Sequence, residues 1–279
     1  MKIFPESSFF QERRAPALPS PDEIRALNEQ TGNIRASYRN RPPPVAVPSL
    51  GLLVKYGIDV TVTEIQTQIA VRKKLLGQVT VPEVYGWTED QDQRFIYMSL
   101  VDGDPLHERW TDMTEPIRLS ICGQLRGAVK ILRGLKQDPN DPYIGGIGKQ
   151  PLNDIFLQRY EKMRGPFYGP DAVQQFQDAC NIDIDKPTPI TFTHNDLVAC
   201  NILVTKGENP QLAAIIDWAQ SGWYPAYWEY CKARRVRVPP RQFPDEVQDQ
   251  WQSTYLPLIL DTVDDTFYHP WLYFVMSMI

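Results

Sequence analysis

The chain has 279 residues, of which 42% are hydrophobic and 23% charged, and its formal net charge is −5. These values exclude a wholly disordered chain and allow two domains or one large two-lobed unit. They also make it a poor match to nucleic acid or an anionic membrane surface, and no apolar run approaches the ~20 residues of a membrane span.

Residues 1–45 are Pro-rich and read as a loosely organised segment around one helix. Ser20 is the N-cap of that helix, Pro21 its first residue, and Glu23 closes a capping box, with the helix running to about Gln30. Pro42-Pro43-Pro44 forbids helix. Leu52-Leu53-Val54-Lys55-Tyr56 predicts a strand ending at Gly57. Thr61-x-x-Glu64 is a second capping box, opening a helix to about Leu76 with Val62, Ile65, Ile69 and Leu76 on one face. Two strands follow, 81–87 and 94–100, with an acidic turn between them. Asp102-Gly103-Asp104-Pro105 breaks the pattern and separates an N-terminal lobe, 46–101, from a helical C-terminal lobe, 102–279.

The second lobe opens with a helix capped by Thr114, with Ile117, Ile121, Leu125, Val129 and Leu132 along one side. Shorter helices are expected at 152–162 and 171–180 and a strand at 189–193. Residues 202–205 and 212–216 read as a hairpin. From Tyr227 onward the chain is helical and aromatic. The cysteines Cys122, Cys180, Cys200 and Cys231 fit no zinc spacing and read as free thiols, which points to a reducing, cytoplasmic setting. His107 is expected at the surface or at a helix start.

One stretch carries chemistry. His194-Asn195-Asp196-Leu197-Val198-Ala199-Cys200-Asn201 lies between two strands, and Asp217 follows at the end of the apolar run Ala213 to Ile216. Phosphoryl transfer asks little covalent work of a protein. It needs a group that orients the attacking hydroxyl and oxygen ligands that hold magnesium against the phosphates. Asp196 can accept the hydroxyl proton, while the Asn201 carboxamide oxygen and the Asp217 carboxylate are the hard ligands Mg²⁺ prefers. The hairpin brings Asn201 and Asp217 together, and His194 can fix the loop by hydrogen bonds. Asp and Asn are also ordinary turn residues, so a plain loop is the competing reading.

These motifs resemble the aminoglycoside phosphotransferase and choline kinase-like group of small-molecule kinases, more narrowly the fungal phosphotransferase-enzyme family. The loop of that family, His-(Gly/Asn)-Asp-x4-Asn, is matched at 194–201, and its metal-binding Ile-Asp-(Trp/Phe) at Ile216-Asp217-Trp218. The resemblance spans roughly residues 50–235. It implies an α+β, bilobal protein-kinase-like fold with a small antiparallel N-lobe sheet and a mainly helical C-lobe. It implies a kinase that moves the ATP γ-phosphate to the hydroxyl of a small molecule, with Asp196 as base, His194 supporting it, and Asn201 and Asp217 holding Mg²⁺.

In the N-lobe, the resemblance makes Lys55 the lysine that holds the nucleotide phosphates and Glu64 its ion-pair partner. Lys55 also reads as an edge-strand lysine, and Glu64 is already accounted for by its capping box. Ser99 and Leu100 lie in the segment whose backbone would hold adenine. The Gly-rich hairpin usual before the lysine strand is missing: Pro42 to Leu50 contains no glycine and several prolines, which lack N–H donors. That departure supports a second class of function, a degenerate kinase fold used for binding or scaffolding, or a non-phosphotransfer enzyme that no longer takes ATP. On the substrate side, Trp223, Tyr227, Trp228 and Glu229 read either as C-lobe core or as a surface for a cationic amino-alcohol, since aromatic faces attract ammonium groups.

Overall fold

The Pro-rich start of the chain is built into the first sheet. In the computed structural model, which describes residues 1–278, β1 (Lys2–Ile3) is followed by α1 (Ser8–Gln11) and α2 (Pro21–Gln30). Helix α2 begins as its residues predict: Ser20 Oγ accepts from the Glu23 N–H, and Glu23 accepts from the Ser20 N–H at 2.7 Å. Then come β2 (Val45–Val47), β3 (Leu52–Gly57), α3 (Val62–Leu75), β4 (Val84–Asp90) and β5 (Gln93–Ser99). The five strands form one antiparallel sheet in the order β1-β4-β5-β3-β2.

Strand alternation gives the sheet two buried faces. Leu52, Val54 and Tyr56 point to one face, where Phe9 of α1, Leu18 and Ile24 of α2 close the core over Tyr85, Phe95 and Tyr97. Leu53 packs on the other side with Val60, Ile65 of α3, Val84, Ile96 and Met98. The segment expected to be loose therefore covers half of the sheet. Strands β4 and β5 join through a two-residue turn, Gln91-Asp92, with φ of 49° and 74°, the left-handed pair that matches strand twist. At the other end, β3 finishes at Gly57 with φ 140°, where an added Cβ would lie 2.2 Å from the Asn40 carbonyl oxygen.

Helix α3 is turned from the expected face. Its buried residues are Glu64, Ile65, Thr67, Gln68, Val71 and Leu75, while Leu76 is exposed. Polar anchors set this rotation: Gln68 donates to the Pro82 carbonyl at 3.0 Å and Arg72 to the Val81 carbonyl at 2.7 Å.

The sheet unit comprises residues 1–76 and 81–102; residues 77–80 and those from 103 onward form a second unit. The second unit runs through β6 (Asp104–Pro105), α4 (Leu106–Arg109), α5 (Glu115–Gly134), β7 (Tyr143–Ile144), β8 (Phe167–Tyr168) and α6 (Ala172–Cys180). It continues with β9 (Ile190–Thr193), β10 (Ile202–Val204), β11 (Leu212–Ile215), β12 (Gly222–Pro225) and α7 (Trp228–Arg235). It ends with α8 (Asp245–Gln250), α9 (Leu256–Ile259) and α10 (Asp265–Ser277). Small antiparallel sheets, β11-β10-β6, β12-β9 and β7-β8, are set among the helices. The buried side of α5 is the expected one, through Ile121, Leu125, Val129 and Leu132.

One expectation fails in this unit, and one strand was not foreseen. Residues 152–160 are turns and extended chain rather than helix, with only a 3-10 turn at Glu161–Met163, because their backbone groups are spent elsewhere: the Ile155 N–H donates to the Gln220 side chain and the Phe156 N–H to Asp154 Oδ1. Residues 222–225 form a strand against β9, which the aromatic composition concealed.

Candidate active site

The chemical loop is held by the strands on either side of it. Strand β9 delivers Thr193 and His194, and β10 leaves from Asn201. The register Ile202↔Ile215 sets Asn201 opposite Ile216, whose N–H donates to the Asn201 carbonyl at 2.9 Å. Asp217 follows in a left-handed conformation, φ 61°, which turns its side chain out of the strand direction.

Within the loop each residue has a definable task. The Asp196 N–H donates to His194 Nδ1 at 3.2 Å, so Nε2 carries the proton and faces the Ile216 carbonyl at 3.0 Å. Full burial pushes the His194 pKa below its ordinary value, more than Asp196, Glu229 and Asp217 raise it, so the ring is a neutral brace. It ties the Asp196 strand to the Asp217 strand. Asn201 Nδ2 donates to both the backbone oxygen and Oδ2 of Asp196, each at 2.9 Å. With the amide nitrogen so committed, the carboxamide oxygen is the atom Asn201 offers to a cation.

Asn195 stands at φ 64°. Its N–H donates to Glu229 Oε1 at 2.9 Å and its side chain to Asp154 Oδ2 at 2.7 Å. Asp154 is fully buried, and its Oδ2 also accepts from Trp228 Nε1 and pairs with the buried Lys232 Nζ, both at 2.9 Å. Neither Asp154 nor Lys232 was legible as a functional residue in the sequence. Their signal was weak: one acid in a segment read as helix and one lysine in a cationic run.

Of the two readings of Trp223, Tyr227, Trp228 and Glu229, C-lobe core or substrate surface, the packing matches the first. All four are buried. Trp228 packs against Phe176, Trp271 and Phe274, and Glu229 is spent on the Asn195 N–H. The rings are core, and the carboxylate holds the loop. His107, expected at the surface or at a helix start, is the second residue of α4, and burial lowers its pKa more than Glu108 and a hydrogen bond to the Ala199 backbone raise it. The Cys200 thiol is pushed up to about 11 by burial and by Asp196 and Glu108, so it is not a nucleophile at neutral pH.

In the first unit, Lys55 Nζ and Glu64 Oε1 form a short ion pair of 2.5 Å. Only half of the second capping box exists. Thr61 accepts from the Glu64 N–H at 3.0 Å, while the Glu64 carboxylate turns to the lysine. At Ser99 and Leu100 the backbone donors are taken inside the sheet unit, by the Glu83 and Gly51 carbonyls at 2.8 and 2.9 Å. The β2–β3 connection is a turn of Pro48-Ser49-Leu50 closed by Gly51, braced by Arg14, whose guanidinium reaches the Gly51 carbonyl at 3.3 Å.

A metal at the Asn201–Asp217 pair fits the donor chemistry of the second unit. The pair offers one carboxamide oxygen and one carboxylate, both hard ligands. No group of three His, Cys, Asp or Glu side chains suited to a metal exists among the described residues. Such a site suits an ion that keeps water and phosphate oxygens in its shell, as Mg²⁺ does.

Comparison with known proteins agrees with this geometry. The phosphotransferase enzyme family matches residues 57–261. Among solved structures, an aminoglycoside-3'-phosphotransferase of type VIII is 14% identical with a TM-score of 0.50, covering 90% of this chain and 98% of that one. The aminoglycoside phosphotransferase APH(3'')-Id from Streptomyces rimosus is 13% identical, TM-score 0.51, covering 94% and 99%. A thermostable mutant of APH(4)-Ia, in ternary complex with AMP-PNP and hygromycin B, is 13% identical, TM-score 0.52, covering 93% and 88%. At such identities these likenesses speak for the α+β kinase-like fold. No curated protein sequence matches significantly. The family match covers well over half of the chain, and the chain belongs to the phosphotransferase enzyme family.

Proposed function

We propose that the protein is an ATP- and Mg²⁺-dependent kinase of a small-molecule hydroxyl. The observation that carries this reading is the double hydrogen bond from Asn201 to Asp196, which ties the carboxylate to the carboxamide, while the Ile216 N–H bonded to the Asn201 carbonyl brings the chain next to Asp217. Asp196 orients the acceptor hydroxyl and takes its proton as the phosphoryl group leaves ATP. Asn201 and Asp217 supply the oxygen ligands. Mg²⁺ bound there would offset charge on the phosphates. Lys55, set by Glu64, contributes the cation that phosphate oxygens need. The three buried thiols and Cys200 are free, which suits a cytoplasmic protein. No helix among the described residues is long and apolar enough to cross a membrane.

The acceptor class is open to aminoglycosides and to amino alcohols. Trp223, Tyr227 and Trp228 are buried, so recognition of a cationic amino-alcohol would rest on other groups. Thermal unfolding with ATP, with and without Mg²⁺, tests the reading. A ligand of the folded state at a hundredfold excess over Kd adds about 2.7 kcal/mol, so a magnesium-dependent rise in Tm is expected. Asp196→Asn should keep that rise and lose turnover by about 10²–10⁴-fold. No shift at millimolar ATP would favour the scaffold reading, which the proline-containing β2–β3 turn supports.

A further inference from the structure

We infer that the buried Asp154–Lys232 pair is a positioning device, which holds Asp196 and Asp217 in register through Asn195 and Gln220; its catalytic meaning rests on the kinase reading above. The contacts converge from segments far apart in sequence. Asp154 Oδ2 accepts from Asn195 Nδ2 at 2.7 Å and from Trp228 Nε1 at 2.9 Å, and pairs with Lys232 Nζ at 2.9 Å. Its Oδ1 accepts from the Phe156 N–H at 2.8 Å. Lys232 Nζ also donates to Gln220 Oε1 at 2.7 Å, which takes the Ile155 N–H at 2.9 Å. The Gln220 carbonyl in turn accepts from Asn195 Nδ2 at 3.2 Å.

Asn195 immediately precedes Asp196, and Gln220 lies in the turn that begins at Asp217. The hub therefore joins the two chemical segments behind their working side chains. Stability alone does not call for it. A buried ion pair is costly to desolvate, and an apolar pair of similar volume commonly stabilises as well or better. An apolar pair cannot fix the direction of several donors at once, which charge-assisted hydrogen bonds do. The geometry also carries a cost at its focus. Asn195 Oδ1 is buried without a partner, since its amide is turned to put Nδ2 on Asp154.

The test separates geometry from stability. Lys232→Met strands a buried carboxylate and should lower Tm; the double variant Asp154→Leu with Lys232→Met removes both charges and should recover Tm above the single variant. If the pair positions the loop, the double variant still loses at least about tenfold in Mg-dependent ATP hydrolysis, at unchanged ATP affinity. Its Asn195 and Asp196 amide hydrogens, held in the native loop by Glu229 and His194, should exchange at least about tenfold faster than in the native protein. Native exchange rates and native turnover in the double variant would overturn the inference.

Hydrogen exchange needs no substrate. If the native protein neither binds nor hydrolyses MgATP, the kinase reading fails, while exchange still decides the positioning role. Should the double variant not fold, Asn195→Gly serves instead. Glycine accepts φ 64° without strain, and the side-chain links to Asp154 and to the Gln220 carbonyl are lost while the backbone N–H to Glu229 is kept. Faster exchange at Asp196 with a Tm lowered by no more than about 4 °C is then expected, and unchanged exchange refutes the role.

Discussion

Asn201→Leu is the sharpest probe of the site, because leucine keeps the shape of the carboxamide and removes its polar atoms. Two hydrogen bonds disappear, one to the Asp196 carbonyl and one to its carboxylate. At about 1 kcal/mol for the neutral bond and about 1.5 kcal/mol for the charge-assisted one, the stability loss is about 2.5 kcal/mol. Unfolding entropy of ~2.1 cal/mol/K per residue over 279 residues is ~0.6 kcal/mol/K, so Tm should fall by about 4 °C.

Turnover should suffer far more. The base loses its orientation and the cation loses a ligand, and general-base effects alone reach ~10²–10⁴-fold, or ~2.7–5.5 kcal/mol. Steady-state ATP turnover and thermal unfolding, measured on the same preparation, read both quantities. Turnover within about tenfold of the native protein, with the Mg-dependent ATP shift intact, would refute the assignment. A Tm loss beyond about 15 °C would do so differently, by making Asn201 a structural residue.

Lys55→Met should weaken ATP binding by about tenfold or more, read by titration calorimetry; retained affinity would leave the Lys55–Glu64 pair a structural role. His194 makes stability depend on pH. Its folded-state pKa lies below the ordinary 6.5, so the unfolded chain binds more protons as pH falls below 6.5. Stability is then full above that pH and drops below it by up to about 1.4 kcal/mol per unit, a slope that should flatten in His194→Gln when Tm is followed from pH 7.5 to 5. Gly57→Ala should cost about 2–4 kcal/mol in a urea titration, because the new methyl meets the Asn40 carbonyl; a midpoint shift near zero would contradict that contact.

What could be read from sequence follows from the range of each interaction. Local signals served well: the capping box at Ser20, the strand ending at Gly57, the hairpin before Asp217 and the side of α5. Residues 194–201 and Asp217 were visible because their spacing is itself the motif. Long-range partners were not. Thr61-x-x-Glu64 looks the same whether the carboxylate caps its own helix or reaches Lys55, and the neighbour at 2.5 Å decides. Glu229 and Trp228 are residue types that serve a ligand or a core equally well, and burial decides. Asp154 and Lys232 lie far apart in the chain, so their meeting is a property of the folded unit alone.

The first strand has a consequence for how the protein may be cut or shortened. β1 closes the outer edge of the sheet by pairing Lys2 and Ile3 with Trp87 and Gly86, and Phe9 plugs the core just behind it. Residues 84–87, Val-Tyr-Gly-Trp, would otherwise present an open, aromatic margin, the kind of surface on which chains zip together. A fragment trimmed to the family match at residue 57 would discard β1, β2 and most of β3, Lys55 included. It would trade a covered sheet margin for an open one. The first dozen residues are thus a selvedge, woven in to stop the fabric from joining its neighbours.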